Sequence, residues 1–251
     1  MNRDRISAIT HGDRAYHNPL DPARVAEGLD ALGLRPGDRV LDVGCGAGEL
    51  LVGLAERHGC TGVGVDTSGI LIAEARRRAA LRAPRAGLEF VAGRAEDIVP
   101  DGGFAAACCL GSLHALGGLE AGLAWLRRAV GAGGAVVIAD GFWARTPDPA
   151  FLAALGATAD ELPSFEGLLA TCTATGLRPV WVATSSPEDW ERYEWMLVSN
   201  GDRWAREHEG DPLADDVRGW IDAARARLLA PGGTATIGFA LVALRSASRT
   251  P

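Results

Sequence analysis

A doubly wound α/β sheet is the fold class this sequence predicts, and three observations predict it. Val40-Leu41-Asp42-Val43 is a short apolar run that breaks into glycines at alternate positions, Gly44, Gly46 and Gly48, and then into the helical pattern Glu49–Arg57. Strand, glycine turn and helix together open a βαβ unit. Short apolar runs then alternate with helical patterns down the chain, as a sheet with crossover helices requires. Finally, 251 residues, 47% hydrophobic and 23% charged, suit one α/β domain, and a chain of that size buries roughly 70–75% of its unfolded surface without staples.

In order, residues 1–20 form a polar arm ending in His17-Asn18-Pro19-Leu20, and Pro19 and Pro22 break the chain before a helix over 23–32. Leu34-Arg35-Pro36-Gly37-Asp38 turns into the first strand. The glycine turn after it needs residues without Cβ, which reach unusual φ/ψ values and let a ligand approach the backbone. The helix start leaves free N–H groups suited to a polar or anionic ligand group. A second strand runs over 60–66, and Thr67 or Ser68 caps a helix over 70–82 whose Arg76-Arg77-Arg78 reads as a solvated face. Asp66 falls 22 residues after Gly44. An acid at the end of the second strand of a nucleotide-binding βαβ unit accepts hydrogen bonds from the ribose hydroxyls. Such bonds to a charged group contribute about 1.5–3 kcal/mol each. A helix-cap aspartate is the weaker alternative.

A third strand spans 88–92 and a fourth 104–110. Gly111–Gly118 is the loop at the carboxyl end of the fourth strand, where open α/β sheets place their ligands. A helix over 119–130, a glycine turn at 131–134 and a fifth strand over 135–140 follow. Beyond them come a helix over 168–176, a strand over 177–183, a helical insertion at about 187–229 and a final strand over 236–244. Five of the seven tryptophans lie between residues 181 and 220, where they either cap a substrate pocket or, as aromatics more often do, pin helices to the sheet.

Val40-Leu41-Asp42-Val43-Gly44-Cys45-Gly46-Ala47-Gly48 closely resembles motif I of the class I S-adenosylmethionine-dependent methyltransferases, and the chain looks like the small-molecule, ubiquinone/menaquinone-methyltransferase-like branch. Recognisable motifs cover roughly residues 36–140. The resemblance implies a Rossmann-like sheet of seven strands with the last antiparallel and the helical insertion before it. It also implies S-adenosylmethionine as cofactor, a small-molecule acceptor, and a single domain over 1–251: an arm and helix over 1–35, a cofactor-binding core over 36–145 and a substrate-side half over 146–251. The cofactor residues it implies are Asp42, Gly44, Cys45, Gly46, Gly48, Asp66, Thr67, Ala95, Glu96 and Leu110. Tyr16 joins them if the arm lies over the pocket rather than packing loosely. Two positions depart from the family pattern. Arg94 replaces the acid that binds the adenine amino group, which moves that contact to Glu96, Asp97 or the backbone near Ala95, and Ala105 replaces an aspartate.

A sulfonium methyl is already activated, so such an enzyme mainly aligns a nucleophile and excludes water; orientation supplies roughly 7–11 kcal/mol in favourable cases. Where a base is needed, His114 in the loop after the fourth strand is the first candidate, because imidazole titrates near neutrality. Tyr193, in the insertion, is the second.

The formal net charge of −7 argues against nucleic acid and anionic membranes. Every formal basic side chain is arginine, for which the sequence offers no functional reason. No spacing of the five cysteines suggests a metal site or a disulfide framework, and no apolar run is long enough to span a membrane, so a cytoplasmic protein is expected. Two rival classes share the first βαβ unit: an NAD-dependent oxidoreductase, against which stand the G-x-G-x-G spacing and Asp42, and a protein that binds the cofactor without chemistry.

Overall fold

The computed structural model describes residues 3–98 and 102–246. Seven strands form one sheet: β1 (Arg39–Val43), β2 (Thr61–Asp66), β3 (Leu88–Ala92), β4 (Phe104–Leu110), β5 (Val130–Trp143), β6 (Leu177–Thr184) and β7 (Ile237–Ser246). Their spatial order is β3-β2-β1-β4-β5-β7-β6. Neighbours from β3 to β5 pair in parallel, and β7 runs antiparallel to both β5 and β6. This is the Rossmann-like sheet of seven strands with an antiparallel last strand that the family resemblance implies.

Nine helices are described: α1 (Arg3–His11), α2 (Pro22–Asp30), α3 (Glu49–His58), α4 (Gly69–Arg82), α5 (Leu119–Ala129), α6 (Pro149–Leu155), α7 (Phe165–Ala174), α8 (Pro187–Glu207) and α9 (Ala214–Leu229). The two-residue period of the strands divides the core between the two faces of the sheet. Val40, Cys108, Val137 and Leu241 pack with Leu29, Leu51 and Ile72 of α2, α3 and α4. Leu41, Val43, Cys109, Ile138 and Val242 pack with Leu126 and Leu168 of α5 and α7. Burying each large apolar side chain contributes about 1.5–3 kcal/mol, so this double layer fixes the strand ends from which the site is built.

Several expectations change. The arm is not wholly irregular: α1 is a helix that buries only Ile6 and Thr10, so packing on α8 rather than a strong apolar period holds it. Its Ile6 joins Ala205, Leu213 and Val217 in a third cluster that also takes Trp204 and Trp220. Helix α6 was not expected, although Asp148 caps it and Pro149 occupies its first turn. Strand β5 begins at Val130, because Val130 pairs with Phe104 and the glycines read as a turn form the irregularity between that pair and Ala106 with Ala135. Insertion helices α8 and α9 occupy the expected place between β6 and β7. A capping box starts α8: the Ser186 hydroxyl accepts from Asp189 N at 3.1 Å, and Asp189 accepts from Ser186 N at 2.9 Å.

Of the three consecutive arginines, Arg76 and Arg77 are exposed, as a solvated face requires, and Arg78 is not. Arg76 donates to the Phe90 carbonyl. Arg78, its side chain 11% exposed, pairs with Glu49 at 3.2 Å and Glu74 at 2.8 Å. Arg82 extends this network from α4 to Glu49 and Glu56 of α3.

Candidate active site

The strand ends build the site. Gly44, Gly46 and Gly48 all have positive φ, 70°, 52° and 76°, values that a side chain opposes. Gly44 N and Cys45 N both donate to the Val65 carbonyl, at 2.8 and 3.1 Å, so the turn is tied to the end of β2. A Cβ on Gly44 would run into the Ser112 side chain, whereas one on Gly46 would meet nothing within 4 Å. The backbone at Gly46 therefore faces open space. Gly48 serves packing instead, since a Cβ there would lie 2.8 Å from both Ala75 and Phe90.

Asp66 closes the turn from the other side. Its carboxylate accepts from Gly46 N at 2.9 Å and from Ser68 N at 2.8 Å. The capping role belongs to Ser68, whose hydroxyl accepts from Leu71 N. Asp42, on β1, is buried. Burial first, and the Asp66 charge second, push its carboxyl well above the usual carboxylate range.

Two adjoining cavities open here. The first, about 270 Å³, is walled by Asp42, Gly44, Cys45, Gly46, Leu110 and Ser112 on the sheet side, by Ser7, His11, Tyr16, His17 and Asn18 of the arm, and by Tyr193 of α8. The second, about 220 Å³, is walled by Val43, Thr67, Ser68, Gly93, Ala95 and His114. Gly44, Asp66 and Ser112 border both, so Asp66 stands where the two meet.

Of the residues singled out from sequence, Asp42, Gly44, Cys45, Gly46, Asp66, Leu110 and Tyr16 meet at the first cavity, together with Tyr193. Thr67, Ala95 and His114 meet at the second, and His114 is separated there from the tyrosines. Glu96 lines neither: it is exposed and pairs with Arg94 at 3.3 Å. Its neighbour Asp97 accepts from Arg94 N and closes its own 3₁₀ turn. Both acids named for the adenine contact are thus engaged with Arg94. None of the five tryptophans between 181 and 220 lines these two cavities. Trp190 packs edge-on against Tyr193 and Phe239, and walls a separate apolar space with Phe151 and Ile237.

The arm residues His11, His17 and Asn18 went unread. The rings of His11 and His17 stack at 4.0 Å, and His11 Nε2 lies 2.8 Å from the Tyr193 hydroxyl. Burial lowers both imidazoles below their usual range, His17 to about 3. Asn18 is buried; its side chain accepts from Leu20 N, and Arg14 donates to its carbonyl, which curls the arm over the cavity. The only sequence signal was a pair of histidines in a polar arm, which does not reveal what they face.

Comparison with known proteins agrees with this arrangement. Residues 40–134 match the model of a family described as a methyltransferase domain. The Escherichia coli protein YjhP, described as uncharacterized, is 29% identical over 233 residues, 90% of this chain and 92% of its own. Its crystal structure superposes with a TM-score of 0.88, covering 98% of this chain and all 100% of that one. A methyltransferase from Thiobacillus denitrificans, described as S-adenosylmethionine-dependent and solved in complex with S-adenosyl-L-homocysteine, is 30% identical, with a TM-score of 0.87 over 96% of this chain and 98% of that one. The demethylmenaquinone methyltransferase of Beutenbergia cavernae is 39% identical over 113 residues, 45% of this chain and 44% of its own.

Proposed function

This chain belongs to the class I S-adenosylmethionine-dependent methyltransferases, and we propose that it methylates a small organic acceptor in the first cavity while the cofactor lies across Asp66 and the glycine turn. Asp66 carries this assignment. Its carboxylate ends β2, bridges Gly46 N and Ser68 N, and borders both cavities, where a ribose fits between an adenine on one side and a reacting group on the other. The chain's own atoms suit that group. Gly46 leaves open space where a side chain would stand, and Asp66 keeps lone pairs for hydroxyl donors. Ala95 and Gly93 wall the second cavity; with Glu96 and Asp97 held by Arg94, backbone groups near Ala95 take the adenine. Leu110, Cys45 and Tyr16 give the first cavity the apolar surface that excludes water. Bound S-adenosylmethionine supplies a methyl already activated on a sulfonium.

His114 belongs to the adenine side by its place beside Ala95, which leaves Tyr193 as the candidate facing the acceptor. No described helix is long and apolar enough to cross a membrane. We keep the cytoplasmic location expected from the sequence, supported by five buried, unpaired cysteines, and a compact acceptor rather than a polyanion, supported by the net charge of −7.

Calorimetric titration tests the assignment. S-adenosylmethionine and S-adenosylhomocysteine should both bind the purified protein, Asp66→Ala should weaken both, and NAD should give no heat. NAD binding without either sulfur ligand, in folded protein, would sink it.

A further inference from the structure

The contacts of His11 with Ser7 assign a direction to its hydrogen bond with Tyr193. His11 Nδ1 lies 2.8 Å from the Ser7 carbonyl, which can only accept, and 3.3 Å from the Ser7 hydroxyl, which can do either; the nearer carbonyl assigns the proton to Nδ1. Burial disfavours a second proton on the ring. Nε2 is therefore a bare lone pair, and the Tyr193 hydroxyl, 2.8 Å away, donates to it. With its proton turned toward His11, the phenol oxygen presents only lone pairs to the cavity that both residues wall.

We propose that Tyr193 is the proton acceptor of the methyl transfer, with His11 as its positioning partner, and that the acceptor carries a weakly acidic hydroxyl of the phenol class. This rests on the methyltransferase assignment above. The acceptor O–H gives its proton to Tyr193 Oη as Tyr193 gives its own to His11 Nε2. The acceptor oxygen forms a bond to the methyl carbon while the carbon–sulfur bond breaks, its electron pair staying on sulfur. One positive charge leaves the sulfonium and one appears on the imidazole, so the cavity's net charge is unchanged. Burial opposes the proton that comes to rest on His11; what offsets it is the loss of the sulfonium charge from the same cavity in the same step, so the proton moves only as the methyl does. A thiolate, ionised unaided, would not need such a base.

The surroundings suit the transfer. The Arg14 guanidinium lies 5.2 Å from the centre of the Tyr193 ring and opposes the rise that burial, and then Glu194, impose on the phenol. His17, stacked on His11, is held uncharged by burial and does not repel a developing imidazolium. Charged groups also acting on the cluster are Arg78 of α4, felt by His17, and Asp189 and Arg192 of α8, felt by Arg14.

The test uses the full-length enzyme with a series of ring-substituted phenols as acceptors, from phenol itself to nitrophenols that ionise below the assay pH. Tyr193→Phe should lose roughly a hundredfold or more in kcat with protonated phenols and little with the ionised ones. His11→Gln should show the same dependence on acceptor ionisation, whereas any loosening of the arm by either variant would lower S-adenosylhomocysteine affinity and turnover alike for every phenol in the series. Nitrogen-15 spectra of histidine-labelled parent protein should show His11 protonated at Nδ1 and bare at Nε2, a readout that needs no variant to fold. An equal loss across the series would make the pair a mere fastening between α1 and α8, and would overturn the proposal. So would an Nε2-protonated ring, or no turnover of any phenol by parent enzyme that binds S-adenosylhomocysteine. Failure of the parent to bind that ligand would instead overturn the methyltransferase assignment and this proposal together.

Discussion

The two walls of the main cavity are held by different means. On the sheet side, the glycine turn is held by main-chain groups: Gly44 N and Cys45 N on the Val65 carbonyl, and Gly46 N on Asp66. Every partner lies within one βαβ unit. On the other side, the wall is made of side chains from α1 and α8, which are far apart in the chain. His11 meets Tyr193, and Asn200 donates to the Thr10 carbonyl at 2.9 Å. One wall is therefore expected to be sensitive to changes of backbone, the other to changes of side chain. On the function proposed above, that contrast would separate the residues that hold the cofactor from those that select its acceptor.

The contrast breaks most sharply at Gly44. Gly44→Ala combines a positive φ with a collision against Ser112, and should cost about 2–4 kcal/mol in urea unfolding. A loss under about 1 kcal/mol would show that the turn yields more readily than its hydrogen bonds imply. Next is Asp66→Asn, which keeps one acceptor oxygen but loses the charge. It should weaken S-adenosylhomocysteine by about 1.5–3 kcal/mol, roughly ten- to 150-fold by calorimetry, and leave the α1–α8 contact untouched.

Asp42 gives a pH test of the same wall. Its folded carboxyl stays protonated well above the usual range, whereas the unfolded chain releases that proton near pH 4. The native state thus binds the extra proton, and this residue's contribution to stability falls as pH rises from about 4 through the folded pKa. Asp42→Asn removes that fall. The variant should lose less stability than the parent between about pH 4.5 and 8 in matched urea titrations, and parallel curves would show Asp42 charged in the fold.

The smallest effect belongs to the other wall. Ser186→Ala removes one bond of the capping box that starts α8 and should cost about 1 kcal/mol, read as a lowered Tm, with S-adenosylhomocysteine affinity nearly unchanged. A large drop in that affinity would mean the walls are coupled through α8 after all.

The same division explains what the sequence disclosed. The glycines, Asp42 and Asp66 were legible because their roles follow from local rules: a turn without Cβ, and an acid at the end of a strand. The sheet followed from alternating patterns, and the 187–229 insertion from its place between two strands. Helix α1 was hidden because Ile6 and Thr10 are its only buried residues and its partners lie on α8. His11 gains its meaning only from Tyr193, 182 positions away. Spacing likewise gave no sign that Glu96 would pair with Arg94 outside both cavities. Spacing along a chain predicts what a backbone does locally; it does not reveal which two distant side chains will share a proton.

Helix α1 and the arm behind it have a thermodynamic consequence. Ser7, His11, Tyr16, His17 and Asn18 complete the cavity only in molecules whose arm is docked on α8. The affinity measured for anything bound there is the intrinsic affinity multiplied by the docked fraction. Cutting back Asn200 or Ile6, neither of which walls the first cavity, would therefore read in a calorimeter as weaker binding while every contact with the ligand stayed intact. Ligand, in turn, would shift the arm toward its docked position and slow the exchange of those α1 amide protons that are released by undocking, by a factor that grows with ligand concentration over Kd.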